Sequence, residues 1–196
     1  MKKVRGSVNR YVFLAGDDRG GIGGHFNLFS PSFYYISQRG KDLGERLDHA
    51  FRTAFRHGVN QAIVMATDVP DISSEIMERA ADCLDRHDIV LGPSPDGGYY
   101  LIGMNRFHEE FFLDIDWGTS RVLAQTLTIA RRLGLSIGLL PELADIDNYN
   151  DLSRWISMGK VRHPLFRLLW HKLPLAGKSS VSDTLRRTRV GVLKIK

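Results

Sequence analysis

Apolar residues along this chain alternate between two rhythms. Short, nearly continuous apolar runs at residues 10–16, 33–36, 62–66, 88–92, 99–103 and 135–140 have the length and composition of buried strands. Between them apolar positions recur at helical spacing. Leu43, Leu47, Ala50, Phe51, Ala54 and Phe55 mark one amphipathic helix, which Gly58 is placed to stop. Ile76, Met77, Ala80, Cys83 and Leu84 mark a second, with Ser73 as its N-cap, and Thr119 is expected to cap a third that runs towards Gly134. The turn at Asp96-Gly97-Gly98 separates two adjacent strands. Strands alternating with helices predict an α/β domain of three layers, α/β/α, around a mostly parallel sheet.

This rhythm points to one residue before any other. The run 62–66 ends in Thr67-Asp68-Val69-Pro70, which puts a carboxylate where a buried strand gives out and a proline where the exit turn must form. In open parallel sheets ligands collect beyond the carboxyl ends of the strands, so Asp68 is a candidate ligand residue; an N-cap or turn aspartate is the plainer alternative.

The rhythm ends near residue 155. Residues 1–155 are read as the α/β domain and residues 156–196 as a basic C-terminal extension, in which residues 163–173 mix Leu165, Phe166, Leu168, Leu169 and Trp170 with Arg167, His171 and Lys172 as a short amphipathic helix before a polar tail. The net charge of +5 hides this polarity. Residues 154–196 hold eleven Lys/Arg and one acid, a net +10, which leaves −5 on the rest. The extension therefore suits an anionic membrane surface or a solvated tail, and nucleic acid is disfavoured because no binding motif accompanies the charge.

With 196 residues, 43% hydrophobic, the chain can bury a substantial core. The single cysteine, Cys83, excludes an internal disulfide and a thiolate metal cluster. No stretch has the apolar character of a signal peptide or the length of a membrane span, so a cytoplasmic protein is expected. The seven histidines lack zinc spacing, and neither a Gly-x-Ser-x-Gly elbow nor a Walker loop is present. Gly20-Gly21-Ile22-Gly23-Gly24 follows a strand but has no lysine after it.

Four segments in order make a more specific signature: Gln38-Arg39-Gly40-Lys41-Asp42-Leu43-Gly44-Glu45-Arg46; Thr67-Asp68-Val69-Pro70; residues 91–103 with Pro93-Ser94-Pro95-Asp96-Gly97-Gly98-Tyr99-Tyr100; and Asp145-Ile146-Asp147-Asn148-Tyr149-Asn150-Asp151-Leu152. Over residues 10–155 the chain resembles a bacterial family of unknown precise function with a GT-A-type nucleotide-diphospho-sugar transferase fold. Its relatives include the molybdenum-cofactor and phospholactate guanylyltransferases. The resemblance implies a nucleotidyl- or glycosyltransferase that acts on an NTP or a nucleotide-sugar and a small-molecule acceptor.

It also implies residue roles. Asp68 and Asp147, with Asp145 as a substitute, would bind Mg²⁺ or Mn²⁺, which takes few protein carboxylates and completes its shell with phosphate and water. Gln38, Gly40, Gly44 and Arg46 would lie along the nucleotide, while Asp96, Gly97 and Gly98 would form a wall of the acceptor pocket. The structural alternatives are Asp42 capping the helix at Leu43 and Asp147 capping a helix from Asn150 or Asp151. The family's usual first strand and its Pro-x-x-Gly-x-x-Lys-Thr-Arg phosphate loop have no counterpart here, which implies an N-terminally shortened domain. Two functions stay open on this reading: a metal-dependent transferase, or a non-catalytic binding or scaffold protein on the same fold. The oligomeric state is open as well.

Overall fold

A computed structural model describes residues 8–14 and 33–158 together with the backbone of residues 191–195. The segment expected as a basic amphipathic helix, residues 163–173, and the glycine-rich segment 17–24 lie outside the described residues.

Seven strands form one sheet: β1 (Asn9–Leu14), β2 (Tyr34–Ser37), β3 (Ala62–Met65), β4 (Ile89–Pro93), β5 (Tyr99–Met104), β6 (Ile137–Leu139) and β7 (Gly191–Ile195). Their order across the sheet is β2-β1-β7-β3-β5-β4-β6. β1 pairs parallel with β2, and β4 with β6. β5 runs against both β3 and β4, and β7 against both β1 and β3. Five strands thus share one direction, and two run against it. The hairpin turn between β4 and β5 enforces the first reversal, since a connection of so few residues cannot cross over to a parallel neighbour.

The position of β7 departs from the expected polar tail. Residues 191–195 re-enter the fold and fill the space between β1 and β3, with Val12 opposite Val192 on one side and Val64 opposite Leu193 on the other. A strand in that place satisfies the inward N–H and C=O groups of both neighbours, which would otherwise be two open edges in mid-sheet.

Strand residues alternate between two cores, as a period of two requires. Ala62 and Val64 of β3, Ile89 and Leu91 of β4, and Ile102 and Met104 of β5 face one helical layer; Ile63, Val90 and Leu101 face the other. The first layer holds α1 (Leu43–Arg56), α3 (Val122–Arg132) and a 3₁₀ turn, Glu109–Phe111. The second holds α2 (Ser74–Leu84), whose Met77, Ala80, Cys83 and Leu84 are buried. This is the expected three-layer arrangement. Phe51 of α1 is fully buried and stacks on Phe112 at 5.5 Å between centroids; burial of such a ring stabilises the fold by roughly 2–3 kcal/mol.

Capping follows the sequence with one exception. Ser73 accepts the Ile76 N–H at 3.3 Å, and Gly58 adopts φ +76° after α1. The exception is α3, whose N-cap is Arg121 rather than Thr119. The Thr119 hydroxyl instead donates to the Asp116 carbonyl at 2.7 Å and accepts the Arg121 N–H at 3.3 Å, so it closes the turn before the helix. A threonine hydroxyl that can close a tight local turn competes with its use as a helix cap.

Candidate functional site at the carboxyl ends of the strands

The carboxyl ends of β3, β4 and β6 point the same way, and each leads into an acidic loop. After β3 comes Asp68; after β4, Asp96; after β6, residues 140–148 with Asp145 and Asp147. The last loop is laid across the strand ends by a ladder of hydrogen bonds. Leu140 N–H donates to the Leu91 carbonyl at 2.9 Å, Leu143 N–H to Pro93 at 3.1 Å, and Ile146 N–H to Asp68 at 2.9 Å. The Tyr100 hydroxyl adds a fourth tie, donating to the Pro141 carbonyl at 3.0 Å. Ile146 is buried beneath this loop, so its neighbours Asp145 and Asp147 flank a fixed point beside Asp68.

Electrostatics reports the same convergence. Asp145 is pushed above the ordinary carboxylate range, first by burial and then by the negative charges of Asp147, Asp96 and Asp68. The charges of three other carboxylates, on three loops, therefore reach Asp145. Among the described residues, no group of three or more His, Cys, Asp or Glu side chains is arranged to hold a metal on its own. The donors are hard oxygens on separate loops, which fits a cation that binds through one or two carboxylates and takes its other ligands from phosphate and water.

Helix α4 (Tyr149–Ser157) holds this loop from the far side. Its N-cap is Asn148, whose side chain accepts the N–H groups of Asn150 at 2.9 Å and Asp151 at 3.1 Å. Asp147 is therefore not the cap, and its exposed side chain is not needed to start the helix. At the other end Trp155 donates its indole N–H to Asp71 at 3.0 Å, tying α4 to the loop that contains Asp68. Neither Trp155 nor Asp71 was marked by the sequence; the only available signal was an aromatic residue on the buried side of a short helix next to the acidic run.

The remaining sequence candidates sort by contact. Asp96 accepts the Gly98 N–H at 2.9 Å, and Gly97 sits at φ +87° against the backbone of Ser120, so the Asp-Gly-Gly turn is a packed hairpin as well as a neighbour of the acidic cluster. Tyr100 is buried, with its phenol pushed up to about 12 by burial, and Tyr99 meets Trp117 edge-on at 6.4 Å. Both tyrosines belong to the core.

In the 38–46 segment Asp42 caps α1, accepting the Glu45 N–H at 2.9 Å, and Glu45 reaches back to the Lys41 N–H at 2.7 Å. Gly40, at φ +132°, folds against Glu45 and Arg46, and Arg46 Nε donates to its carbonyl at 3.2 Å. The close approach permitted by Gly44 is used by Trp117 and by the Phe112 carbonyl. Gln38 Oε1 is buried without a hydrogen-bond partner among the described residues. Of the four residues expected along a nucleotide, Gln38 thus has unmet hydrogen-bonding capacity, while Gly40, Gly44 and Arg46 shape the start of α1.

No helix among the described residues is long and apolar enough to cross a membrane. Comparison with solved structures finds the "putative nucleotide-diphospho-sugar transferase" from Desulfovibrio desulfuricans G20, at a TM-score of 0.69 and 33% sequence identity over 87% of this chain and 69% of that one. Comparison with curated proteins gives no match. The family model described as "Uncharacterized protein conserved in bacteria (DUF2064)" matches residues 2–119. The likeness in sequence and the shared nucleotide-diphospho-sugar transferase-like fold place the chain in that bacterial DUF2064 family.

Proposed function

We propose that this protein is a transferase that handles a nucleotide, acting on an NTP or a nucleotide-sugar with the help of Mg²⁺ or Mn²⁺. The observation that supports this most is the Ile146–Asp68 hydrogen bond, which brings two distant acidic segments together at the carboxyl ends of co-directional strands. Asp68 and Asp147 would hold the cation, with Asp145 next to them. Bound there, it would neutralise charge on the donor's phosphates.

The chain's own groups do the rest. The loop 140–148, fastened at Leu140, Pro141, Leu143 and Ile146, fixes the backbone that carries Asp145 and Asp147 before any ligand arrives, which lowers the ordering cost of binding. The Asp96 turn borders the same space, where an acceptor would sit. Gln38 would meet the nucleobase or ribose through its side-chain amide. Because the protein supplies few ligands, the cation is expected to bind together with phosphates rather than ahead of them.

Isothermal calorimetry with GTP, the other NTPs and UDP- or GDP-sugars, each with Mg²⁺, with Mn²⁺ and with EDTA, tests this reading. It expects one ligand class to bind only when the divalent ion is present. Absence of binding by well-folded protein, or binding that EDTA leaves unchanged, would refute it.

A further inference from the structure

The partly buried indole of Trp117 lies in a seam between the 38–46 segment and the Asp-Gly-Gly hairpin. On one side is the first turn of α1, where a side chain on Gly44 would run into the indole nitrogen. On the other is Tyr99 at the start of β5, whose ring meets the indole edge-on at 6.4 Å. Both neighbours stand at the carboxyl edge of the sheet. β2 ends at Ser37 and leads through residues 38–42 into α1, and Tyr99 pairs with Pro93, the last residue of β4.

Hydrogen bonds hold the indole in this place. Trp117 N–H donates to the Ile115 carbonyl at 2.9 Å, and the Asp116 carboxylate, paired with Arg121 at 3.2 Å and with Gln125 at 2.7 Å, ties the turn to the start of α3. The same segment is fastened to the hairpin. Leu123 N–H donates to the Gly97 carbonyl at 2.9 Å, and Gly97 packs on the Ser120 backbone. The charge of Asp96, in that hairpin, reaches Asp145. Trp117 therefore stands at the same end of the sheet as the carboxylates, on the side of the 38–46 segment.

One polar group in this seam is not used by the fold. Among the described residues the indole N–H of Trp117 has no hydrogen-bond acceptor, and it is not one of the buried polar atoms that lack a partner, so it is open to solvent. An indole N–H only donates, so a ligand that pairs with it must bring an acceptor. The nitrogen edge of the ring is the one turned to Gly44, and glycine leaves that edge uncovered where a methyl group would crowd it.

We propose that Trp117 is a ligand contact, whose indole N–H donates a hydrogen bond to an oxygen of the nucleotide lying along residues 38–46. This assignment rests on the nucleotide-handling function proposed above. It gives Gly44 a second use besides packing, since the close approach of helix and indole sets the N–H beside the nucleotide segment.

The test is NMR of the full chain labelled with ¹⁵N-tryptophan, with the indole signals assigned through Trp117→Phe, Trp155→Phe and Trp170→Phe. The labelled protein is titrated with each NTP, UDP-glucose and GDP-mannose in the presence of Mg²⁺. The Trp117 indole N–H signal is expected to shift saturably with the ligand that calorimetry detects, and at the same affinity. A shift that the matching nucleoside reproduces places the contact on the nucleoside part; a shift with the nucleotide alone places it on the phosphates. Trp117→Phe keeps a ring between Gly44 and Tyr99 but loses the N–H, and should weaken binding about tenfold. A nucleotide that binds by calorimetry without moving the Trp117 signal, or that binds Trp117→Phe undiminished, would overturn this contact and leave the proposed function standing. Absence of binding by every nucleotide would overturn both.

Discussion

Replacing Gly44 with alanine separates a packing role from a ligand role at one residue. Gly44 lies in the first turn of α1, and in an open helix the change to alanine would stabilise the protein by roughly 0.5–1 kcal/mol. Here the added Cβ would overlap the Trp117 indole nitrogen and come within 2.8 Å of the Phe112 carbonyl oxygen. The indole can rotate, but the carbonyl belongs to the backbone between the 3₁₀ turn and Trp117. Overpacking of this type costs about 1–3 kcal/mol, so the net expectation is a loss of about 1–2 kcal/mol. For a chain of this size that lowers Tm by about 2–8 °C. Thermal unfolding followed by circular dichroism measures it, and a double-mutant cycle with Trp117→Phe should show coupling, because the smaller ring relieves part of the overlap. An unchanged or raised Tm in Gly44→Ala would refute the packing assignment.

Three further outcomes follow from the same contacts. Asp145 has a raised pKa, so its ionised form opposes folding above that pKa, and the penalty disappears as pH falls through it. Asp145→Asn should therefore stabilise the protein at pH 7, with the gain shrinking on acidification; urea unfolding at several pH values would contradict this if the variant were less stable throughout. Trp155→Phe keeps the ring but removes the hydrogen bond to Asp71, and a loss of about 1–2 kcal/mol is expected in urea unfolding. Deleting residues 191–196 would expose the facing edges of β1 and β3, which are paired with β7 through five and four residue positions respectively. Cooperative unfolding should be lost and association of the freed edges should appear in light scattering; a monomer with an unchanged transition would show that β7 is dispensable.

Much of this architecture was written locally. Leu47, Ala50, Phe51 and Ala54 repeat at helical spacing and are buried at that spacing, and Asp42, Ser73 and Gly58 end their helices through interactions within a few residues. The placement of Asp68 at a strand's carboxyl end was legible for the same reason. Pairing direction and partner were not, because they depend on residues far apart in sequence. The run at β5 is as apolar as its neighbours and gives no sign of orientation apart from its short turn. The alternation Leu193-Lys194-Ile195-Lys196 is a weak strand signal inside a strongly cationic segment. The Thr119 hydroxyl closes the turn before α3 instead of capping the helix, a choice between two local partners that the sequence leaves open.

The central claim is that Asp68 and Asp147 converge on one divalent ion that arrives with a nucleotide. Electron paramagnetic resonance of free Mn²⁺, titrated with protein in the absence and presence of NTPs and nucleotide-sugars, measures it directly. The account predicts little Mn²⁺ uptake by the protein alone, about one ion per chain bound with the correct nucleotide beyond what that nucleotide binds by itself, and a loss of at least about tenfold in that affinity in both Asp68→Ala and Asp147→Ala. No protein-dependent uptake with any nucleotide, or uptake unchanged in either variant, would contradict it.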